Sequence, residues 1–296
     1  MTTPSTRPAG IYPLGASFCA AIAIVVLLIL NPASTPVYAT DMFGELRNPG
    51  DPSFVAGHRG DRSTAPENTL AALSRAIDSP LEFVETDVSR SSDGVPVLFH
   101  DRTVGRTTDG SGPVAEKTLA ELKALDAGSW YSSAFAGERI PTLEEFLAVL
   151  APSGKKALLE LKGYWSVDDL GVVTDLLSSY ELGDRVIFMS FNLGSLSSAA
   201  ALAPATPRVA IVRSLPDDVV AFARSFRVIG VVTPAQAIED RPDVVDAMHA
   251  AGLGVMVYTL NSTETWAQAR ALGVDGIITD KPSKLDRWLA DTAPGT

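Results

Sequence analysis

The chain has 296 residues, with 24 Lys and Arg against 35 Asp and Glu, for a formal net charge of −11. Hydrophobic residues make up 46% and charged residues 20%, which excludes disordered, collagen-like and coiled-coil classes. A single cysteine excludes a disulfide framework and a cysteine-built zinc site, and the acidic balance excludes a nucleic-acid partner, which needs a basic face.

Residues 14–30 form an uncharged apolar run preceded by Arg7, and Val37 and Ala39 stand at the −3 and −1 positions of a signal-peptidase site. Export to the cell exterior or envelope is expected, with residues 1–39 removed as a signal peptide or kept as a membrane anchor through 14–30. Cys19 lies inside the run, so a cleaved chain carries no cysteine, as suits an oxidising exterior. Residues 40–53 read as a polar lead-in, 54–290 as one domain and 291–296 as a tail. The domain is close to the roughly 250 residues of a single (β/α)8 barrel.

Short β-rich runs lie at 53–58, 82–88, 95–100, 157–162, 185–191, 208–212, 228–232, 254–260 and 276–279. Helical patterns separate most of them, for example 166–180, 216–226 and 241–251. The alternation predicts an α/β fold with a parallel sheet and right-handed crossovers, closed into a TIM barrel. Nine runs are one more than a barrel needs, and the surplus is expected among the last three. An insertion at about 102–155, after the third strand, carries helical patterns at 118–125 and 142–150 and belongs on the catalytic face. Its Trp130, Tyr131 and Phe135 suit either a cap over a ligand or packing of the insertion on itself.

Barrel active sites sit at the C-terminal ends of strands, and chemistry-bearing residues cluster there in the first four runs. The first ends in Gly57-His58-Arg59-Gly60 and the third in Phe99-His100-Asp101. Period-two alternation puts Glu85 and Asp87 on one face of the second, and Glu160 and Lys162 on one face of the fourth. Three carboxylates without cysteine form a hard oxygen site for one divalent cation, Mg2+ or Ca2+. Arg59 and Lys162 are cations placed for an anionic group such as phosphate. His58 and His100 titrate near neutrality and can serve as general acid and base. His249, inside a helical pattern, reads as structural. These residue types together point to metal-assisted cleavage of a small-molecule phosphodiester.

The same positions carry a family resemblance. Gly57-His58-Arg59-Gly60, Ala65-Pro66-Glu67-Asn68-Thr69, Glu85-Thr86-Asp87-Val88, Asp93-Gly94-Val95-Pro96-Val97 and His100-Asp101 resemble the glycerophosphodiester phosphodiesterases in order and spacing. Further matches are Arg106-Thr107-Thr108, Ile140-Pro141-Thr142-Leu143, Glu160-Leu161-Lys162, Ser190-Phe191-Asn192, Tyr258-Thr259-Leu260-Asn261 and Gly273-Val274-Asp275-Gly276-Ile277-Ile278-Thr279-Asp280-Lys281-Pro282. The resemblance implies a barrel that hydrolyses glycerophosphodiesters to sn-glycerol 3-phosphate and an alcohol. By position, it implies His58 and His100 as the acid/base pair and Glu85, Asp87 and Glu160 as metal ligands. It further implies Arg59, Lys162, Phe191 and Tyr258 as substrate-binding, with Glu67 and Asn68 supporting the site. Tyr258 stands where many members carry Trp, and both offer a flat wall.

Two other readings compete. A lysophospholipase D- or sphingomyelinase D-like activity on lipids would suit an anchored chain. A non-catalytic phosphodiester-binding or adhesion protein is the other, the latter prompted by Arg59-Gly60-Asp61. No protein partner is expected.

Overall fold

The structure, a computed structural model, describes residues 37–292. The apolar run 14–30 lies outside the described residues, among which no helix is long and apolar enough to cross a membrane. Nine strands follow in order: β1 (Phe54–Gly57), β2 (Phe83–Arg90), β3 (Pro96–Leu98), β4 (Lys156–Leu161), β5 (Val186–Ser190), β6 (Arg208–Ile211), β7 (Gly230–Pro234), β8 (Gly254–Tyr258) and β9 (Gly276–Thr279). Eight of them close a parallel barrel, because β1 pairs with both β9 and β2 while the rest pair in sequence around the ring.

The surplus strand is β3, not one of the last three. It pairs antiparallel with the overhanging end of β2, Val88 opposite Leu98 and Arg90 opposite Pro96. Asp93 and Gly94 turn the chain there, with Gly94 at φ +85°, so β2 and β3 form a hairpin rather than a crossover. Apolar composition is the same for a stave and for a hairpin arm, which is why the runs alone misplace the surplus.

Two hydrophobic layers hold the barrel. Inward side chains, among them Phe54, Phe83, Leu158, Ile187, Val209 and Met256, fill its axis. Outward ones, such as Val55, Val84, Leu159 and Phe188, pack under the surrounding helices, including α2 (Leu70–Ile77) and α5 (Val167–Ser179). The short helix Ala39–Phe43, α1, closes the N-terminal end of the barrel, with Ala39, Met42 and Phe43 buried in the axial cluster. The Phe43 ring lies 5.1 Å from Phe54, which in turn lies 4.6 Å from Phe83. Gly254 makes room: a Cβ there would come within 2.4 Å of the Phe43 ring. The expected cleavage point after Ala39 therefore falls at the first residue of a docked helix.

The insertion has a small core of its own, built from Val104, Val114, Leu122, Ala127 and Ile140 against Val97 and Phe99. It contains α3 (Leu119–Ala124) and ends in α4 (Leu143–Leu150), each opened by a Thr–Glu capping box. Trp130, Tyr131 and Phe135 stack edge-on upon one another, and Arg75 lies over Phe135. These rings pack the insertion and do not line the cleft at the barrel mouth.

Candidate active site

Strand register assembles the acidic cluster. On β2, Phe83, Glu85 and Asp87 share the inward face, and the β2–β4 pairing sets Asp87 directly opposite Glu160. One carboxylate oxygen of each of Glu85, Asp87 and Glu160 lies within 4.8 Å of the other two, and all three residues are buried. Like charges this close are unfavourable in a low dielectric. Burial, reinforced by Asp87 and Glu160, pushes the Glu85 carboxyl well above its ordinary range. Glu160 is pushed up to about 7 by burial and by Asp87. Burial would raise Asp87 too, but Lys162 and Arg59 hold it below its usual value.

Those two cations are part of the cluster rather than free beside it. Lys162 Nζ lies 2.7 Å from Glu160 Oε1 and 3.3 Å from Asp87 Oδ1. Arg59 is buried, with Nη1 2.6 Å from Glu67 Oε1 and Nε 3.2 Å from Asp87 Oδ2. Its backbone N–H donates to Glu85 Oε2 at 2.7 Å. That bond requires φ +58° at Arg59, a left-handed conformation uncommon for a residue with a side chain. Gly60 follows at φ +80°, where a Cβ would come within 2.5 Å of the Ala72 backbone. The β1–α2 loop is thus folded to bring Arg59 under the carboxylates.

Asn68 does the same from the other end of that loop, at φ +57°. Its Nδ2 donates to Asp87 Oδ2 at 2.9 Å, and its Oδ1 accepts from Thr86 Oγ1 at 2.8 Å. Thr69 next to it caps α2. Glu67 gathers three guanidinium groups, Arg59, Arg62 at 2.8 Å and Arg106 at 2.7 Å. Burial would raise Glu67, and the hydrogen bond from Arg106 with the neighbouring positive charges holds it below its usual value. Glu67 and Asn68 thus hold Arg59 and Asp87 in place.

His58 and His100 both reach the barrel mouth, by different routes. His58 follows β1, its N–H donating to Thr279 O at 2.9 Å. His100 follows β3, and because that strand runs back toward the barrel, Phe99 donates its N–H to Asp87 O at 3.0 Å and delivers His100 beside the carboxylates. Each imidazole has its own carboxylate: His58 Nδ1 lies 2.6 Å from Asp280 Oδ1, and His100 Nδ1 lies 2.6 Å from Asp101 Oδ1. Burial lowers both imidazole pKa values against the opposing pull of nearby carboxylates. Burial thus disfavours the charged form of each ring while its carboxylate favours it, and with Nδ1 held by that carboxylate Nε2 is left for chemistry.

Asp280 and Asp101 fall within the sequence motifs, which assign them no task. Asp280 is itself held by Asn261, whose Nδ2 donates to Asp280 Oδ2 at 2.8 Å, so this amide is engaged inside the fold. Asp101 is bound by Arg106, and Asp280 and Asp101 both titrate at about 2. The signal that could have found them is position: Asp280 directly follows the end of β9, and Asp101 directly follows His100. The third histidine, His249, lies 3.0 Å from buried Asp275, far from the site in a helix, as its structural reading expects.

A cleft of about 300 Å³ opens beside the cluster, lined by His58, Arg59, Glu85, His100 and Glu160 on one side. The far side carries Phe191, Arg213 and Tyr258, with the Phe191 and Tyr258 rings edge-on at 6.2 Å. Arg59, Gly60 and Asp61 are all buried, which removes the basis for an adhesive tripeptide. A closed parallel barrel with buried carboxylates, paired histidines and cations at its C-terminal mouth defines an enzyme for an anionic substrate.

Comparison with known proteins places it further. The sequence profile of the Glycerophosphoryl diester phosphodiesterase family matches residues 58–284. The Bacillus subtilis protein YhdW is 39% identical over 238 residues, covering 77% of this chain and 95% of that protein. A glycerophosphodiester phosphodiesterase of Caldanaerobacter subterraneus is 33% identical, covering 79% and 96%. An Oleispira antarctica phosphodiesterase, solved in complex with the product sn-glycerol-3-phosphate, superposes with a TM-score of 0.76 at 34% identity, over 80% of this chain and 96% of that one. The chain belongs to the glycerophosphoryl diester phosphodiesterase family and is a phosphoric diester hydrolase.

Proposed function

We propose that the enzyme hydrolyses glycerophosphodiesters to sn-glycerol 3-phosphate and an alcohol, using one divalent cation and the two histidines. The observation that carries the cation is an unmet demand inside the cluster. Glu85 Oε1 is buried and accepts no hydrogen bond, and Asp87 Oδ1, also buried, has only the Lys162 Nζ contact at 3.3 Å. Three oxygen donors in a shared pocket, one of them held well above its ordinary pKa, fit a hard cation such as Mg2+ or Ca2+. Glu85, Asp87 and Glu160 would hold it. When bound, such an ion offsets charge on the phosphoryl oxygens.

The chain's own groups account for the proton traffic. One histidine, its Nδ1 fixed by Asp280 or Asp101, takes a proton at Nε2 from water or from a glycerol hydroxyl. A P–O bond forms to that oxygen as the P–O bond to the alcohol breaks; where the attacking oxygen is the glycerol hydroxyl, water then opens the cyclic phosphate so formed, with the two histidines in exchanged roles. The other histidine, protonated at Nε2, gives its proton to the departing alkoxide. Arg59 and Lys162 stand by the cluster to oppose the negative charge of the phosphoryl group. Phe191 and Tyr258 give the bound arm a flat apolar wall.

Residues 14–30 support an exported enzyme, met by its substrate outside the cytoplasm. The test uses the full chain with glycerophosphocholine. Released sn-glycerol 3-phosphate should vanish with EDTA and return with Mg2+ or Ca2+. Turnover of lysophosphatidylcholine in place of glycerophosphocholine would favour the lipid-directed reading instead.

A further inference from the structure

The cations around the mouth are not equivalent. Arg59, Arg62, Arg106 and Lys162 each have a carboxylate within salt-bridge distance. Arg213, just beyond the end of β6, lines the same cleft and pairs with no carboxylate among the described residues. It is exposed, yet not loose. Its guanidinium lies 4.8 Å from the centroid of the Phe191 ring, which meets Tyr258 edge-on. A guanidinium over a ring face gains from its charge without spending its N–H donors, and the Arg213 side chain donates to no group among the described residues, so its forked donors stand free for an anion. Its charge reaches the cleft wall, since burial raises the Tyr258 phenol and Arg213 opposes that rise.

Placement gives this cation a task. The acidic cluster stands on β2 and β4, and Arg213 follows β6, whose neighbours are β5 and β7. A phosphodiester seated at the cluster and reaching into the cleft therefore brings its arm toward Arg213. The chain carries a net charge of −11, so a lone stacked cation at this mouth is a local exception to the repulsion an anionic substrate meets. We infer that Arg213 recognises a second anionic group, a phosphate, on the substrate arm that enters this cleft, so that the preferred substrates are phosphodiesters whose polyol arm is itself phosphorylated. This rests on the phosphodiesterase reading of the site and goes beyond it by naming a substrate class and the residue that selects it.

Two substrates separate the possibilities: glycerophosphoglycerol, and the same diester bearing a terminal phosphate on one glycerol. The full chain should show a higher kcat/KM for the phosphorylated diester. Arg213→Met, which keeps much of the side chain's packing, should lower the ratio of the two kcat/KM values by about tenfold or more, the scale of one charge-assisted hydrogen bond. Raising NaCl from about 0.05 to about 0.5 M should shrink the ratio for the natural chain and leave it flat for the variant. A ratio unchanged by Arg213→Met, with both substrates slowed equally, would show that Arg213 only props Phe191 and would overturn the inference. Turnover of the plain diester with no preference for the phosphorylated one would also overturn it while leaving the phosphodiesterase reading intact. Turnover of neither, by enzyme that releases sn-glycerol 3-phosphate from glycerophosphocholine, would overturn it too, and failure on all three diesters would remove the reading it rests on.

Discussion

His58 and Asp280 lie 222 positions apart in the chain and 2.6 Å apart in space, Nδ1 to Oδ1. They meet because β1 pairs with β9, which brings the ends of the first and last strands side by side. The carboxylate holds Nδ1 and leaves Nε2 free in a ring that lines the cleft, and it opposes the fall in pKa that burial imposes. Asp280→Asn keeps the shape and removes the charge. It should lower kcat by between about 10- and 1,000-fold, while His58→Ala costs between about 100- and 10,000-fold. In the Asn variant the His58 pKa drops further, so the limb of the kcat profile that reports His58 should move to lower pH, the acidic limb with His58 as base and the basic limb with His58 as acid. A merely structural Asp280 would lower stability without moving that limb.

With Glu160 as a ligand, metal binding would compete with protons. Its folded pKa is about 7, against an ordinary value of 4.5. Between those values the folded chain keeps a proton that the unfolded chain has released, so this group's stabilisation is complete below about 4.5 and fades as pH rises through about 7. His58 and His100, lowered by burial, act in the opposite sense below their ordinary value of 6.5, so the comparison must be made against Glu160→Gln. In EDTA, the melting temperature of the natural chain relative to that variant should fall from pH 4.5 to pH 7.5. Added Mg2+ or Ca2+ should raise it at pH 7.5 and do little at pH 4.5, because the ion needs the ionised carboxylates.

Glu85 sets function against stability. Its Oε1 is buried without a partner beside two further carboxylates, an arrangement that costs free energy until a cation enters. Glu85→Gln should therefore melt higher than the natural chain in EDTA. It should lose the metal-induced rise in melting temperature and more than about 100-fold of activity. A variant that melts lower in EDTA would mean that the Arg59 N–H bond to Glu85 outweighs the repulsion.

What the residues disclosed in advance was the part governed by strand ends. His58, Glu85, Asp87, Glu160 and Lys162 stand out because charged groups at the ends of apolar strands have few uses other than a site. His100 was placed at the same rim for a reason that does not hold, since β3 is no stave; the hairpin that carries it back is invisible in an apolar triplet. Asp280 beside His58, and Arg213 across from the cluster, depend on barrel closure and on which strands face one another. Pattern within a segment carries no such information. The Phe43 plug was hidden for another reason: five helical residues are too few for periodicity to show.

That plug yields the last prediction. Phe43 is 2% exposed, tilted against Phe54 and edge-on to Phe83 at the end of the barrel away from His58 and His100. Phe43→Ala should cost about 3–5 kcal/mol, the usual scale for emptying a buried aromatic site. Since Lys156 also binds Met42 O from the base of β4, α1 is tied to the barrel by a polar contact as well. A chain beginning at Thr40 lacks buried Ala39 and the Tyr38 N–H bond to Asp41. It should be less stable than one beginning at Val37, by urea unfolding followed at the tryptophans. Both truncated chains should retain the same kcat at low temperature, because nothing in α1 touches the cleft. Equal unfolding midpoints would mean that Met42 and Phe43 alone seal the barrel floor, and that cleavage after Ala39 leaves the fold intact.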